Sequence, residues 1–226
     1  MALSRLPAGI VFDMDGLLFD SEALHRDAAR DAAGEHGCVL PDAVFLFLIG
    51  GAWTDNRARL LAHFGADFAV DDFAACWARH YALRAAPGPA LKPGVRDLLA
   101  LLDALGMKRA IATSSSHETV RRNLAAHGLA GRFDAVVARG DYARGKPAPD
   151  PFLRAAERIG AVPAACLALE DSPHGVRGAA AAGMAVVMVP DLVPAGAAER
   201  AVCAFVAEDL HAVMRAVARA AGRDVP

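Results

Sequence analysis

The chain has 226 residues, 55% of them hydrophobic and 22% charged, with a formal net charge of −2. That length supports one full core or one domain plus an insert, and the composition excludes a disordered chain. A near-neutral balance with scattered arginines gives no reason to expect a nucleic-acid or membrane partner.

No stretch approaches the roughly 18 uninterrupted apolar residues of a membrane span. The start, Met1-Ala2-Leu3-Ser4-Arg5-Leu6-Pro7, lacks the apolar segment of a secretory signal. Cys38, Cys76, Cys166 and Cys203 are widely spaced without a Cys-x-x-Cys. The expectation is reduced thiols in a cytoplasmic protein rather than a disulfide framework or a zinc site.

The first predicted element is a short buried strand, Gly9-Ile10-Val11-Phe12, followed at once by Asp13-Met14-Asp15-Gly16. The segment from Asp20 to about His36, rich in Ala, Glu, Arg and Leu, reads as a helix with Asp20 and Glu22 near its positive end. Two further helices are predicted from Thr54 to Phe64 and from Val70 to Leu83. Pro87-Gly88-Pro89 then breaks the pattern as a linker. Residues 19–88 therefore read as an all-helical module inserted after the first strand.

From Lys92 the rhythm alternates. Helices are predicted at Val95–Leu105, His117–His127, Pro151–Ile159, Gly175–Ala182 and Leu210–Ala221. Strands are predicted at Arg109–Thr113, Asp134–Ala138, Cys166–Leu169 and Ala185–Val189. Strands separated by helices imply right-handed crossovers and an α/β fold, a parallel sheet with helices on both faces.

In such sheets ligands bind beyond the carboxyl ends of the strands. The first strand delivers Asp13, a carboxylate able to attack phosphorus or carbon, and Asp15, able to carry a proton. The second delivers Thr113, Ser114 and Ser115 at a helix mouth, where hydroxyls and backbone N–H groups can hold phosphate. The loop before Pro147 offers Lys146 as a point charge. The fourth strand ends in Glu170 and Asp171, hard oxygen ligands suited to magnesium. Each motif alone has a plainer explanation: Ser114 to Ser116 as a helix cap, Lys146 as a surface lysine, Asp171-Ser172-Pro173 as a helix start. A parallel sheet brings all four to one edge.

Asp-x-Asp-Gly, Thr-Ser-Ser, Lys-Pro-x-x-Asp and Glu-Asp-Ser-x-x-Gly, in that order, resemble the haloacid dehalogenase superfamily. The helical insert after the first motif resembles its subgroup of phosphoglycolate-phosphatase-like and β-phosphoglucomutase-like enzymes. The resemblance spans essentially the whole chain. It implies a Rossmann-like core over 1–18 and 89–226 and a helical cap over 19–88. It further implies an Mg2+-dependent phosphatase of a small phosphorylated metabolite. Asp13 matches the nucleophile that becomes an aspartyl-phosphate, and Asp15 the acid/base. Ser114 and Lys146 match the phosphoryl-holding groups. Asp171, Asp13 and the backbone carbonyl of Asp15 match the magnesium ligands, with Glu170 as a ligand or as support for one.

Within the insert, Gly50-Gly51-Ala52-Trp53-Thr54-Asp55-Asn56 resembles the loop that faces substrate, so Gly51, Trp53 and Arg57 are candidate substrate residues. Mutases of the subgroup tend to carry an arginine in this loop; here Trp53 or Thr54 stands nearest, with Arg57 and Arg59 further along. His25 matches a histidine those mutases use, although many phosphatases have one there too, and a solvated helix residue is the plainer reading. Trp53 is either substrate-facing or packing within the cap, the latter slightly favoured. The alternatives to a phosphatase are a sugar-phosphate mutase, a metal-independent dehalogenase and a non-catalytic phospho-acceptor. Asp15 argues against the dehalogenase, because a departing halide needs no acid. A monomer or small homo-oligomer is expected.

Overall fold

A computed structural model describes residues 3–49 and 53–223. The chain divides into two compact units, Ser21–Pro89 and the flanking pair Met1–Asp20 with Ala90–Pro226. No helix among the described residues is long and apolar enough to cross a membrane.

The helical unit contains α1 (Ser21–Glu35), α2 (Asp42–Leu48), α3 (Trp53–Phe64) and α4 (Val70–Ala85). Its two longest helices, α1 and α4, pack together. Small residues make the close approach possible: Ala28, Ala29, Ala32 and Ala33 line the buried face of α1. Phe73, Phe68 and Phe64 form a tilted aromatic cluster with ring centroids 4.6–6.5 Å apart. Helix α2 is absent from the sequence-based reading. Its sequence DAVFLFL is a nearly unbroken apolar run, and the helical period shows only in the outcome: Phe45 and Leu48 are buried while Phe47 is 71% exposed.

The flanking segments build an α/β unit on a six-stranded parallel sheet. Its strands are β1 (Gly9–Phe12), β2 (Lys108–Ala112), β3 (Ala135–Val137), β4 (Cys166–Glu170), β5 (Ala185–Met188) and β6 (Phe205–Val206). Their lateral order is β3-β2-β1-β4-β5-β6. Helices α5 (Val95–Ala104), α6 (His117–Ala126), α7 (Asp150–Arg158), α8 (Pro173–Ala181), α9 (Ala197–Val202) and α10 (Leu210–Ala220) complete the unit. Both α9 and β6 are too short to carry a period, and neither is foreseen from the sequence.

Strand β1 occupies the centre, with Ile10 opposite Arg109 on one side and Leu167 on the other. Side chains alternate across a strand, so Ile10 and Phe12 enter one hydrophobic cluster and Val11 the other. All four β1 residues are buried. A fully buried Val, Ile or Phe contributes about 1.5–3 kcal/mol. The strand that carries the first motif is thus fixed on both faces and both edges.

Candidate active site

Each site residue leaves the sheet at the same edge. Asp13 follows the last residue of β1, and its N–H donates to the carbonyl of Leu169 at 2.9 Å. Thr113 follows β2, and Glu170 ends β4. The chain turns at Gly16, whose φ of +80° and crowded surroundings both require glycine: a Cβ there would meet Asp171 Oδ2 at 2.2 Å. The turn thereby presses the Asp13–Gly16 loop against the Asp171 carboxylate.

Lys146 reaches the same place from the loop before α7. Its ammonium donates to Asp13 Oδ1 and, at 2.5 Å, to Glu170 Oε1. It also lies over the Phe152 ring, 5.1 Å from the centroid. The Lys146 side chain is 8% exposed, those of its partners 9% and 0%. Burial opposes the charge on Lys146, but the carboxylates of Asp13 and Glu170 outweigh it and hold the ammonium above its usual range. Burial pushes the Asp13 carboxyl well above the ordinary range, against the pull of Lys146, with Glu170 and Asp15 adding to the rise.

Glu170 has both oxygens engaged. Oε1 accepts from Lys146, and Oε2 accepts from the backbone N–H groups of Asp171 and Ser172 and from the Ser172 hydroxyl. Gly175 leaves room for it, since a Cβ there would fall 1.9 Å from the Glu170 carboxyl carbon. Ser172 caps α8 by accepting from the N–H of Gly175 at 3.1 Å.

The three serines divide their work. Ser116 caps α6, accepting from the Thr119 N–H at 3.2 Å. Ser115 turns back and donates its hydroxyl to Asp15 Oδ2 at 2.7 Å, with the Thr113 hydroxyl 3.4 Å from the same oxygen. Ser114 lies exposed between them. Capping and site-building are therefore both present, on adjacent residues.

Asp13, Glu170 and Asp171 form a buried group whose oxygens lie within 4.8 Å of one another, an all-oxygen set suited to a hard divalent cation. Asp191, in the turn after β5, is a member of the neighbourhood that the sequence does not reveal. Its Oδ2 would lie 3.3 Å from a Cβ on Gly16, beside Asp171. Its Oδ1 accepts from Lys92 at 2.7 Å, while the buried Oδ2 has no hydrogen-bond partner. An orphaned buried carboxylate oxygen beside Asp171 is what a cation site needs nearby, so the residues present fit a divalent ion. Tyr142 is a second missed residue, donating to the Thr113 carbonyl at 3.1 Å and bracing the β2 end.

The candidates in the helical unit separate. His25 and Trp53 line one cavity of about 420 Å3 with Glu22, Asn56, Trp77 and Tyr81. His25 is half-buried: its ring stacks on Tyr81 with centroids 3.6 Å apart and planes 9° apart. Trp53 is 42% exposed, so it borders the cavity rather than filling the unit's interior. Arg57 is elsewhere, 3.3 Å from Asp71 in an exposed ion pair. Gly51 lies outside the described residues.

A family model described as haloacid dehalogenase-like hydrolase matches residues 7–183. Fructose-1-phosphate phosphatase YqaB of Escherichia coli (strain K12) is 34% identical over 188 residues, covering 80% of this chain and 96% of that protein. Hexitol phosphatase A of the same organism is 35% identical over 185 residues, covering 80% and 82%. A HAD family hydrolase from Deinococcus radiodurans R1, solved with bound phosphate and sodium, superposes with a TM-score of 0.82 at 26% identity, covering 96% of this chain and 98% of that one. A parallel sheet with this acidic edge and these relatives places the chain in the haloacid dehalogenase-like hydrolase family, among its phosphatases.

Proposed function

We propose that this phosphatase hydrolyses a sugar or sugar-alcohol phosphate with Mg2+ as cofactor, through an aspartyl-phosphate on Asp13. The observation that carries the reading is the pairing of a buried carboxylate, Asp13, with a buried cation, Lys146, at the exit of the central strand. Phosphoryl transfer asks a protein mainly for positioning and charge neutralisation, and both are present at one edge. The relatives that act on fructose 1-phosphate and hexitol phosphates support the substrate class.

In the first step an oxygen of Asp13 attacks phosphorus, the ester P–O bond breaks, and the departing alkoxide takes the proton of the Asp15 carboxyl. In the second, Asp15 accepts a proton from water as its oxygen attacks phosphorus, and the bond to Asp13 breaks to release phosphate. Ser115 and Thr113 orient Asp15 for both transfers. Lys146 neutralises Asp13 and, through it, lets an anionic ester approach. Glu170 acts as a positioning residue that holds Lys146 and the start of α8. Asp13, Asp171 and the Asp15 carbonyl would hold the cation, which when bound supplies charge neutralisation for the phosphoryl oxygens.

The test is phosphate release from hexose and hexitol phosphates with magnesium and with chelator, β-glucose 1-phosphate being scored separately for glucose 6-phosphate. Magnesium-dependent release from a preferred ester is the expected result. Isomer formation without net phosphate release would transfer the chain to the mutases. Release that is indifferent to chelator would remove the cofactor assignment.

A further inference from the structure

The helical unit holds a second set of metal-type ligands, separate from the catalytic edge. Cys76 and His80 are four residues apart on α4, so their side chains share one helix face. Glu35, the last residue of α1, meets both: its Oε2 lies 3.2 Å from Cys76 Sγ and its Oε1 lies 2.6 Å from His80 Nε2. One ligand atom from each of the three lies within 4.8 Å of the other two. A tetrahedral ion with bonds of about 2.3 Å to sulfur and about 2.0 Å to nitrogen or oxygen fits that spacing after small side-chain shifts. On its far side the His80 ring faces a carboxylate, with Nδ1 3.6 Å from Asp31 Oδ2. That is where a second carboxylate fixes the tautomer of a metal-bound imidazole.

A cation already stands at this point. Arg79 Nη2 lies 2.6 Å from Glu35 Oε2 and 3.4 Å from Cys76 Sγ. Its side chain is 56% exposed, so it can swing into water at the cost of a solvent-screened ion pair. The catalytic group is all oxygen and suits a hard ion, whereas sulfur, imidazole and carboxylate together select a softer one.

We propose that Glu35, Cys76 and His80 bind a divalent ion of the zinc or cobalt class, in competition with Arg79, and that this ion ties α1 to α4. Three protein ligands leave a fourth position for water. The Cys76 thiol gives up its proton to solvent as the bond to the metal forms.

Cobalt distinguishes this site from the catalytic one, because only thiolate ligation gives an intense near-ultraviolet charge-transfer band. Full-length protein saturated with magnesium is titrated with Co2+. The expected result is one saturable equivalent carrying that band. Cys76→Ser abolishes the band, and His80→Ala weakens binding by at least about tenfold, the scale on which even an outer partner is felt. Arg79→Gln, which removes the competing cation, tightens binding several-fold. No band in the wild type, or an undiminished band in Cys76→Ser, would overturn the assignment. Should Cys76→Ser fail to fold, Arg79→Gln decides: unchanged or weaker cobalt affinity refutes the competition. Magnesium-dependent phosphate release is expected to be unchanged in Arg79→Gln.

Discussion

Among the described residues the α/β unit has ion pairs both buried and exposed, whereas no ion pair of the helical unit has both partners buried. In the α/β unit the cation Lys146 is 8% exposed between carboxylates that are 9% and 0% exposed. Arg109, 10% exposed, is held by the carbonyls of Leu99 and Arg132 and by Asp103, which is itself 47% exposed. In the helical unit the pairs Arg30–Asp42, Arg57–Asp71 and Arg84–Asp31 have every partner more than a third exposed. A buried pair costs desolvation to assemble and is costly to halve, whereas an exposed one is screened and nearly interchangeable. The α/β unit therefore commits the charges at its strand ends to fixed positions, as chemistry requires, and leaves others, such as Arg154 and Glu157, on the surface. The helical unit spends its charges on the surface, where they are easily changed.

The largest effect that tests this contrast is at the nucleophile. Asp13→Asn is expected to cut phosphate release by more than about 1000-fold, the scale of losing a nucleophile. Residual activity above roughly a tenth of wild type would remove the covalent step. Lys146→Met comes next: it leaves Asp13 and Glu170 buried without their cation, and about 3–5 kcal/mol of stability is expected to go with it. A chemical denaturation midpoint unchanged by that substitution would erase the distinction between the units. Asp15→Ala is expected to fold normally and to accumulate a slowly hydrolysed phospho-enzyme, visible as a mass increase after substrate is added. Normal turnover in that variant would reassign the proton transfer. At the small end, Arg57→Ala in the helical unit is expected to cost less than about 1 kcal/mol. A larger loss on thermal melting would show that the exposed pairs are structural after all.

Acid sharpens the same comparison. The Arg158 guanidinium, helped by the Ala138 N–H and His117, outweighs burial and holds the Asp141 carboxyl far below its ordinary value of 3.8. A depressed carboxyl stabilises the fold above its ordinary pKa and loses that contribution as pH falls below it. The wild type is therefore expected to lose more stability than Asp141→Asn between about pH 5 and pH 3, by denaturant titration at each pH. Parallel losses in the two proteins would contradict the assignment.

Much of this was legible because it is local. The β1 run, the acidic turn after it and the Pro-Gly breakers that bound the helices are each written in a few consecutive residues. Helix α2 was hidden because DAVFLFL shows no polar face until Phe47 turns outward. Asp191 was hidden for a different reason. In Val189-Pro190-Asp191 it reads as an ordinary turn residue, and only the fold brings it to Lys92, Gly16 and Asp171. The serines illustrate a third kind of limit, since one tripeptide serves as cap and as site support, and nothing in its sequence assigns the two duties. In the helical unit, the Cys76-x-x-x-His80 spacing is visible, but its third partner arrives from α1, 41 residues earlier than Cys76.

The central place of β1 has a consequence for how the chain assembles. The strand is made first, yet Ile10 pairs with Arg109 and Leu167, about 100 and 160 residues later. Closing loops of that length before any reward is gained is slow, so the sheet is expected to form late. Ser21–Pro89, a compact unit in itself, leaves the ribosome well before β4 exists. During synthesis the Ile10–Phe12 segment must therefore wait, apolar and with its β4 edge unpaired, until the residues around Glu170 emerge, which makes it a stretch in need of a chaperone's attention.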